Sequence, residues 1–157
     1  MNLDKTDFFI LQSLYKDGRK AYTEIAKELE ISEGKVRFRI NRMLENNVFE
    51  FIIHSSPDKI GLPVQALIGI NTENGARDRV ACQLAGFREI RAVGSFIGKY
   101  EILIQAYFAS NEELAIFMDR KLTKINEITK TETFLQLKHY KDSFNYFDIL
   151  STDLVHQ

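Results

Sequence analysis

The sequence has no tryptophan, one cysteine and three scattered histidines, and each scarcity removes a class of chemistry. The single thiol, Cys82, excludes an intramolecular disulfide and an all-cysteine zinc site. Within Val80-Ala81-Cys82-Gln83-Leu84 it reads as a small helix-packing residue rather than a reactive thiol. His54, His139 and His156 have no second ligand at metal spacing, so no metal site is expected. There is no glycine-rich phosphate loop and no Gly-x-Ser-x-Gly elbow, so neither a cofactor nor an activated nucleophile is expected. No apolar run reaches the ~18 residues that span a bilayer. The opening residues, Met1 to Asp7, carry charge where a signal peptide needs its apolar stretch, and the expected location is cytoplasmic, with no membrane partner.

What is present is an ordinary globular composition, 45% hydrophobic and 27% charged, with a net charge of −1. That balance excludes a chain coated in positive charge but not one with a local basic face, and phosphate contacts depend on local clustering. Residues 1–54 hold nine basic and nine acidic side chains, and the basic ones concentrate late. Leu3, Ile10, Leu11 and Leu14 recur at helical spacing, with Asp4 in the first turn and Gly18 placed for a left-handed cap. A short second helix carries Ile25, Ala26 and Leu29 on one face, and Ala26 is small enough to let a neighbouring helix cross closely. After Glu30-Ile31, Ser32 caps a third helix with Val36, Ile40 and Met43 inward and Asn46-Asn47 at its end.

The outward face of that third helix carries the chemistry. From residue 33 to 42 four bases, Lys35, Arg37, Arg39 and Arg42, stand against one acid, Glu33. Arginine, lysine and asparagine suit base edges and phosphates. The expected DNA contacts are therefore Gly34, Lys35, Arg37, Phe38, Asn41 and Arg42, with Ser32, Tyr22 and Thr23 near phosphates at helix starts. With these contacts, affinity should fall on the order of a thousandfold between low and moderate salt.

The order and spacing of Leu3-Asp4-x-x-Asp7-x-x-Ile10-Leu11-x-x-Leu14, Asp17-Gly18-Arg19, Ile25-Ala26, Ile31-Ser32, Val36-x-x-Arg39-Ile40 and Val48-Phe49 resemble the Lrp/AsnC (leucine-responsive/asparagine regulator, feast/famine) family. The resemblance implies a winged helix-turn-helix whose third helix enters the major groove of double-stranded DNA, at a roughly palindromic site. Ala21, Glu30 and Asn47 depart from the usual pattern, where Ser, Gly and Gly are common. Ala21 costs ~1 kcal/mol of helix stability as an N-cap.

Val48 to His54 reads as a β connector, closed by Ser55-Ser56-Pro57-Asp58. Beyond it, strands are expected at 64–70, 90–96, 102–108 and 131–137, and helices at 77–86 and after the Ser110-Asn111-Glu112-Glu113 capping box. The order β-α-β-β-α-β is that of the ferredoxin-like fold, with both helices on one sheet face. The chain is thus α+β: a helix-turn-helix unit at 1–54, a ferredoxin-like domain at 55–140 and a tail at 141–157 containing Phe144, Tyr146 and Phe147. Leu67, Leu103 and Tyr107 fall on the uncovered sheet face, which a second copy would cover, giving a homodimer. The second domain resembles the family's regulatory (RAM) domain, and the resemblance leaves open a ring of four dimers.

In the family, amino-acid effectors bind near a Gly-x-Tyr-Asp turn between the second and third strands. Here that turn is Gly98-Lys99-Tyr100-Glu101. The resemblance implies that its backbone N–H groups hold a carboxylate and Glu101 an ammonium, with hydroxyls from Thr131 and Thr133 nearby. Two other readings stand beside an effector-modulated regulator. Sirohaem decarboxylases share a similar two-domain plan, but they carry His- and Trp-rich segments, whereas this chain lacks tryptophan and Arg91 to Phe96 lacks histidine. An enzyme is therefore not expected. A constitutive DNA-compacting protein that ignores metabolites is the other.

Overall fold

Asp4 starts the first helix, α1 (Lys5–Lys16), by accepting from the Asp7 N–H, while the Asp7 carboxylate accepts from the Asp4 N–H. This is a reciprocal cap built with two aspartates. The computed structural model describes residues 2–141 and 146. It divides into two units, one within Met1–Ile53 and the other His54–Tyr140. Of the expected tail, only Lys141 and Tyr146 lie within the described residues, and Phe144 and Phe147 lie outside them.

In the first unit α1 is followed by α2 (Tyr22–Glu28) and α3 (Glu33–Glu45). Ile10, Leu11, Leu14, Ile25, Ala26, Val36, Ile40 and Met43 form the core, one stripe from each helix. The expected left-handed cap at Gly18 does not form. Asp17 ends α1 in an extended conformation, and its carboxylate accepts from the Arg19 N–H at 2.9 Å, so a side chain closes the turn instead. Ala21 starts α2 without any side-chain cap, while Ser32 caps α3 by accepting from the Lys35 N–H.

Glu30 and Asn47 take left-handed conformations, φ 54° and 53°, each just past a helix end. The Ile31 N–H reaches the Ala26 carbonyl and the Val48 N–H reaches that of Met43, so both ends close by the same i to i−5 bond. Asn tolerates this geometry and Glu does not, at ~1–2 kcal/mol. Glu30→Gly is therefore expected to raise the stability of the first unit by about 1 kcal/mol, after the extra entropy glycine loses on folding. Chemical denaturation checks this, and an unchanged or lower midpoint would contradict it.

Residues 48–54, expected as a β connector, form no strand. A strand needs a ladder partner, and among the described residues no segment pairs with this one. Phe51, Ile52 and Ile53 are exposed.

The second unit runs β1 (Val64–Thr72), α4 (Arg77–Ala85), β2 (Ile90–Ser95), β3 (Ile102–Phe108), α5 (Asn111–Arg120) and β4 (Ile128–Leu135). The strands make one antiparallel sheet in the order β2-β3-β1-β4, the ferredoxin-like arrangement. Ala66, Ile68 and Ile70 with Ile102, Ile104, Ala106 and Phe108 form its inner face, against Val80 and Leu84 of α4 and Leu114 and Phe117 of α5. β4 starts three residues earlier than expected because it follows β1 out to Thr72, across an irregularity at Asn71/Thr72. Cys82, expected in the packing of α4, is exposed. The helix buries Val80 and Leu84, and Cys82 projects about 200° from Val80 at ~100° per residue.

The opposite sheet face is a mixed apolar surface. Leu103, Gln105 and Tyr107 are half-buried, and Leu67 is exposed with its β4 partner Phe134 beside it. No helix among the described residues is long and apolar enough to cross a membrane.

Candidate functional site

The outward side of α3 follows from its buried side. Val36, Ile40 and Met43 are fully buried, and at ~100° per residue the opposite direction belongs to Gly34, Phe38, Asn41 and Glu45. Lys35 and Arg37 flank that line, and all of these residues are exposed. Arg37 pairs with Glu33 one turn back at 2.6 Å, and its guanidinium lies over the Tyr22 ring, 5.4 Å from the centroid. An exposed i,i+4 pair is worth only ~0.3–0.5 kcal/mol, so the guanidinium can be redirected at little cost. Tyr22 and Thr23 open α2, and Ser32 opens α3.

Arg42 is placed differently from the contact expected of it. Its terminal nitrogen donates to Asp7 Oδ2 at 2.8 Å, and Asp7 is fully buried. Arg39 donates to Asp7 Oδ1 at 2.9 Å and to both oxygens of Asp4. Burial opposes ionisation of Asp4, but the Arg39 hydrogen bond, with the Asp7 backbone N–H, holds its carboxyl below its ordinary value. Two of the four bases on α3 thus neutralise two acids on α1 and bolt the two helices together. The sequence carried a signal for this: Asp4-x-x-Asp7 and Arg39-x-x-Arg42 repeat the same one-turn spacing on two helices.

In the second unit the turn before β3 is tightly built. Tyr100 lies flat on Gly69, where an added Cβ would come within 2.5 Å of the ring. Its hydroxyl is buried without a partner among the described residues. Lys99 crosses the Tyr100 ring at 4.9 Å and pairs with Glu132 of β4 at 2.7 Å. Glu101 Oε2 accepts from the Thr72 backbone N–H at 2.8 Å and from its hydroxyl at 2.9 Å. The backbone bond first, and the hydroxyl second, hold the Glu101 carboxyl below its ordinary value.

The five residues expected around an effector are not all neighbours. Thr131 pairs with Ile70, whose carbonyl also accepts the Glu101 N–H, so these two flank one residue of β1. Thr131 lines a cleft of about 520 Å³ with Met118, Leu122, Ile125 and Ile128. Thr133 pairs with Ile68, and its hydroxyl faces Met118 of α5 at 3.9 Å. Both threonines, opposite core residues of β1 and two residues apart, therefore lie on the helix-covered side of the sheet, whereas Tyr100 covers Gly69 on the other. Gly98 sits at the tip of the turn, with open space for 4 Å around the point where a Cβ would stand. Among the described residues no group of three His, Cys, Asp or Glu could hold a metal ion.

Comparisons with known proteins agree with this fold. Residues 3–50 match a family model described as winged helix-turn-helix DNA-binding, and residues 65–146 match the Lrp/AsnC ligand binding domain. An uncharacterized HTH-type transcriptional regulator of Pyrococcus furiosus is 37% identical over 132 residues, 83% of this chain and 89% of that one. HTH-type transcriptional regulator LrpA of Pyrococcus horikoshii is 33% identical over 129 residues, 82% of this chain and 92% of that one. Among solved structures, E. coli AsnC superposes with a TM-score of 0.87 at 26% identity, over 92% of this chain and 99% of its own. A transcriptional regulator from Neisseria meningitidis, solved as a complex with L-Met, gives 0.83 at 23% identity, over 91% and 95%.

Proposed function

The chain belongs to the Lrp/AsnC family of HTH-type transcriptional regulators, and from that membership we propose a sequence-specific, dimeric regulator whose DNA affinity responds to a small amino acid. One observation carries the DNA part. The third helix of the helix-turn-helix presents Gly34, Lys35, Arg37, Phe38 and Asn41 away from a core that holds Val36, Ile40 and Met43. Two such helices one turn of DNA apart read a roughly palindromic site, with Ser32, Tyr22 and Thr23 near phosphates. Arg42 acts here chiefly as the partner of Asp7. The face bearing Leu67, Leu103 and Tyr107 pairs with that of a second copy, which removes an exposed apolar sheet surface from water. Selection of duplexes from a random pool with the full chain tests the reading. Enrichment of a site with two half-sites supports it, and no enrichment removes it.

The effector site is the turn at Gly98–Glu101. With Glu101 Oε2 held by Thr72, Oε1 is the atom left for an ammonium, and Gly98 leaves backbone N–H groups approachable for a carboxylate. The Neisseria regulator holds L-Met, and a ligand of that class fits this chemistry. Thr131 and Thr133 both stand on the helix-covered face, opposite to Tyr100, and act on the turn only through β1 and α5. In a thermal-shift screen of the twenty amino acids at millimolar concentration, at least one should raise the melting temperature in step with the logarithm of its concentration. Glu101→Gln should remove that response and leave duplex binding intact. A screen without a hit favours the constitutive DNA-compacting reading, and a hit that survives Glu101→Gln moves the pocket elsewhere.

A further inference from the structure

An exposed aromatic residue needs no explanation by itself, but Phe38 stands at the apex of the surface that faces DNA. It is 66% exposed on α3, diametrically opposite the Val36/Ile40/Met43 stripe. One turn earlier the same line carries Gly34, with nothing within 4 Å of where a side chain would begin. One turn later it carries Asn41, also exposed. Lys35 and Arg37 lie to the two sides, and Arg39 and Arg42 are engaged by Asp4 and Asp7. Glu45 continues the line but is the last residue of the helix, so the centre of the reading surface is a bare backbone, a phenyl ring and a carboxamide, with the cations at its margins.

Those groups match particular base edges. In the major groove only thymine presents a methyl group, and adenine presents the N7 acceptor and N6 donor that a carboxamide meets with two hydrogen bonds. Guanine is read best by a guanidinium or ammonium, and neither occupies the apex. Phe38 and Asn41 are three residues apart, a rise of about 4.5 Å along the helix, comparable to the ~3.4 Å step between base pairs.

We propose that Phe38 packs on the C5 methyl of a thymine, and Asn41 bonds the adenine edge of a neighbouring pair, making A·T pairs the centre of each half-site. The inference rests on the DNA-binding reading above. Its test isolates the methyl group. In the selected duplex, each thymine of a half-site is replaced in turn by deoxyuridine, which removes the methyl and nothing else. At one thymine per half-site the wild-type chain should bind about fourfold more weakly, the worth of one buried methyl. Phe38→Ala should bind both duplexes alike, and Phe38→Leu should keep part of the preference. Replacing the neighbouring adenine by 7-deazaadenine should weaken the wild type about tenfold and leave Asn41→Ala unaffected. Indifference of the wild type to deoxyuridine at every thymine would overturn the proposal, as would undiminished discrimination by Phe38→Ala. If the random pool yields no duplex, the DNA-binding reading itself fails and takes this one with it. If a duplex is enriched but the methyl is not felt, only the assignment of Phe38 falls.

Discussion

Asp7→Asn is expected to lower the melting temperature of the helix-turn-helix unit by about 15 °C, more than any other single exchange on α1 or α3 that leaves the apolar core intact. The side chain is fully buried and takes three charge-assisted or capping bonds, from Arg39, Arg42 and the Asp4 N–H. Asparagine keeps the shape and removes the charge, so Arg42 loses its carboxylate and Arg39 keeps only that of Asp4. Breaking a buried ion pair by removing one partner costs ~3–5 kcal/mol. The lower end applies here, because the side chains of Arg39 and Arg42 keep 26% and 37% exposure and water can reach them. In a unit of this size about 3 kcal/mol corresponds to a shift on the order of 15 °C. Asp4→Ala should cost only about 1 kcal/mol, the usual worth of an N-cap, since Asp4 is half-exposed. Helix circular dichroism during heating separates the two, and a shift below about 3 °C for Asp7→Asn would contradict the bolted-helix account. Acid should act in the same direction. Asp4's carboxyl is held below its ordinary value of 3.8. Its contribution is complete above that value and is lost as pH falls through the lower, folded-state one.

The three helices and the sheet order could be read from the sequence because local signals and tertiary packing point the same way there. Ser32 caps, Val36, Ile40 and Met43 recur at one helical face, and two strand–helix–strand patterns leave few arrangements. Asp7 was not legible as a core residue. An acid in the first turn of a helix is favoured for local reasons, and its burial depends on arginines 32 and 35 residues away. The same pairing hid the role of Arg42, which counts as one more base until its partner is known. Gly18 failed as a cap because the neighbouring Asp17 side chain closed the turn first. The connector at 48–54 has strand composition, but strand formation depends on a partner that composition does not reveal. At the effector turn the motif was readable, whereas the capture of Glu101 by Thr72 was not, being a contact between residues 29 apart. Thr131 and Thr133 looked equivalent in sequence. Both stand opposite core residues of β1, Ile70 and Ile68, and both lie beside Met118 of α5, a placement that depends on the strand register.

The salt dependence of duplex binding tests the central claim most directly. With Arg39 and Arg42 committed to Asp4 and Asp7, Lys35 and Arg37 are the cations of α3 left for phosphate, four per dimer. Each neutralised phosphate contributes about −0.9 to the slope of log affinity against log salt. The expected slope is therefore about −3.6, a loss of roughly 150-fold between 50 and 200 mM salt. That is shallower than the thousandfold expected when Arg42 is counted as a contact. Lys35→Ala combined with Arg37→Ala should flatten the slope towards zero and weaken binding to all duplexes alike, since phosphate contacts carry no sequence information. The measurement is an equilibrium titration of the selected duplex at several salt concentrations, with the wild-type chain and the double variant side by side. A slope near −3.6 that disappears in the double variant is the predicted result. A wild-type slope near zero, or a double variant that keeps the wild-type slope, would contradict the placement of α3 against DNA.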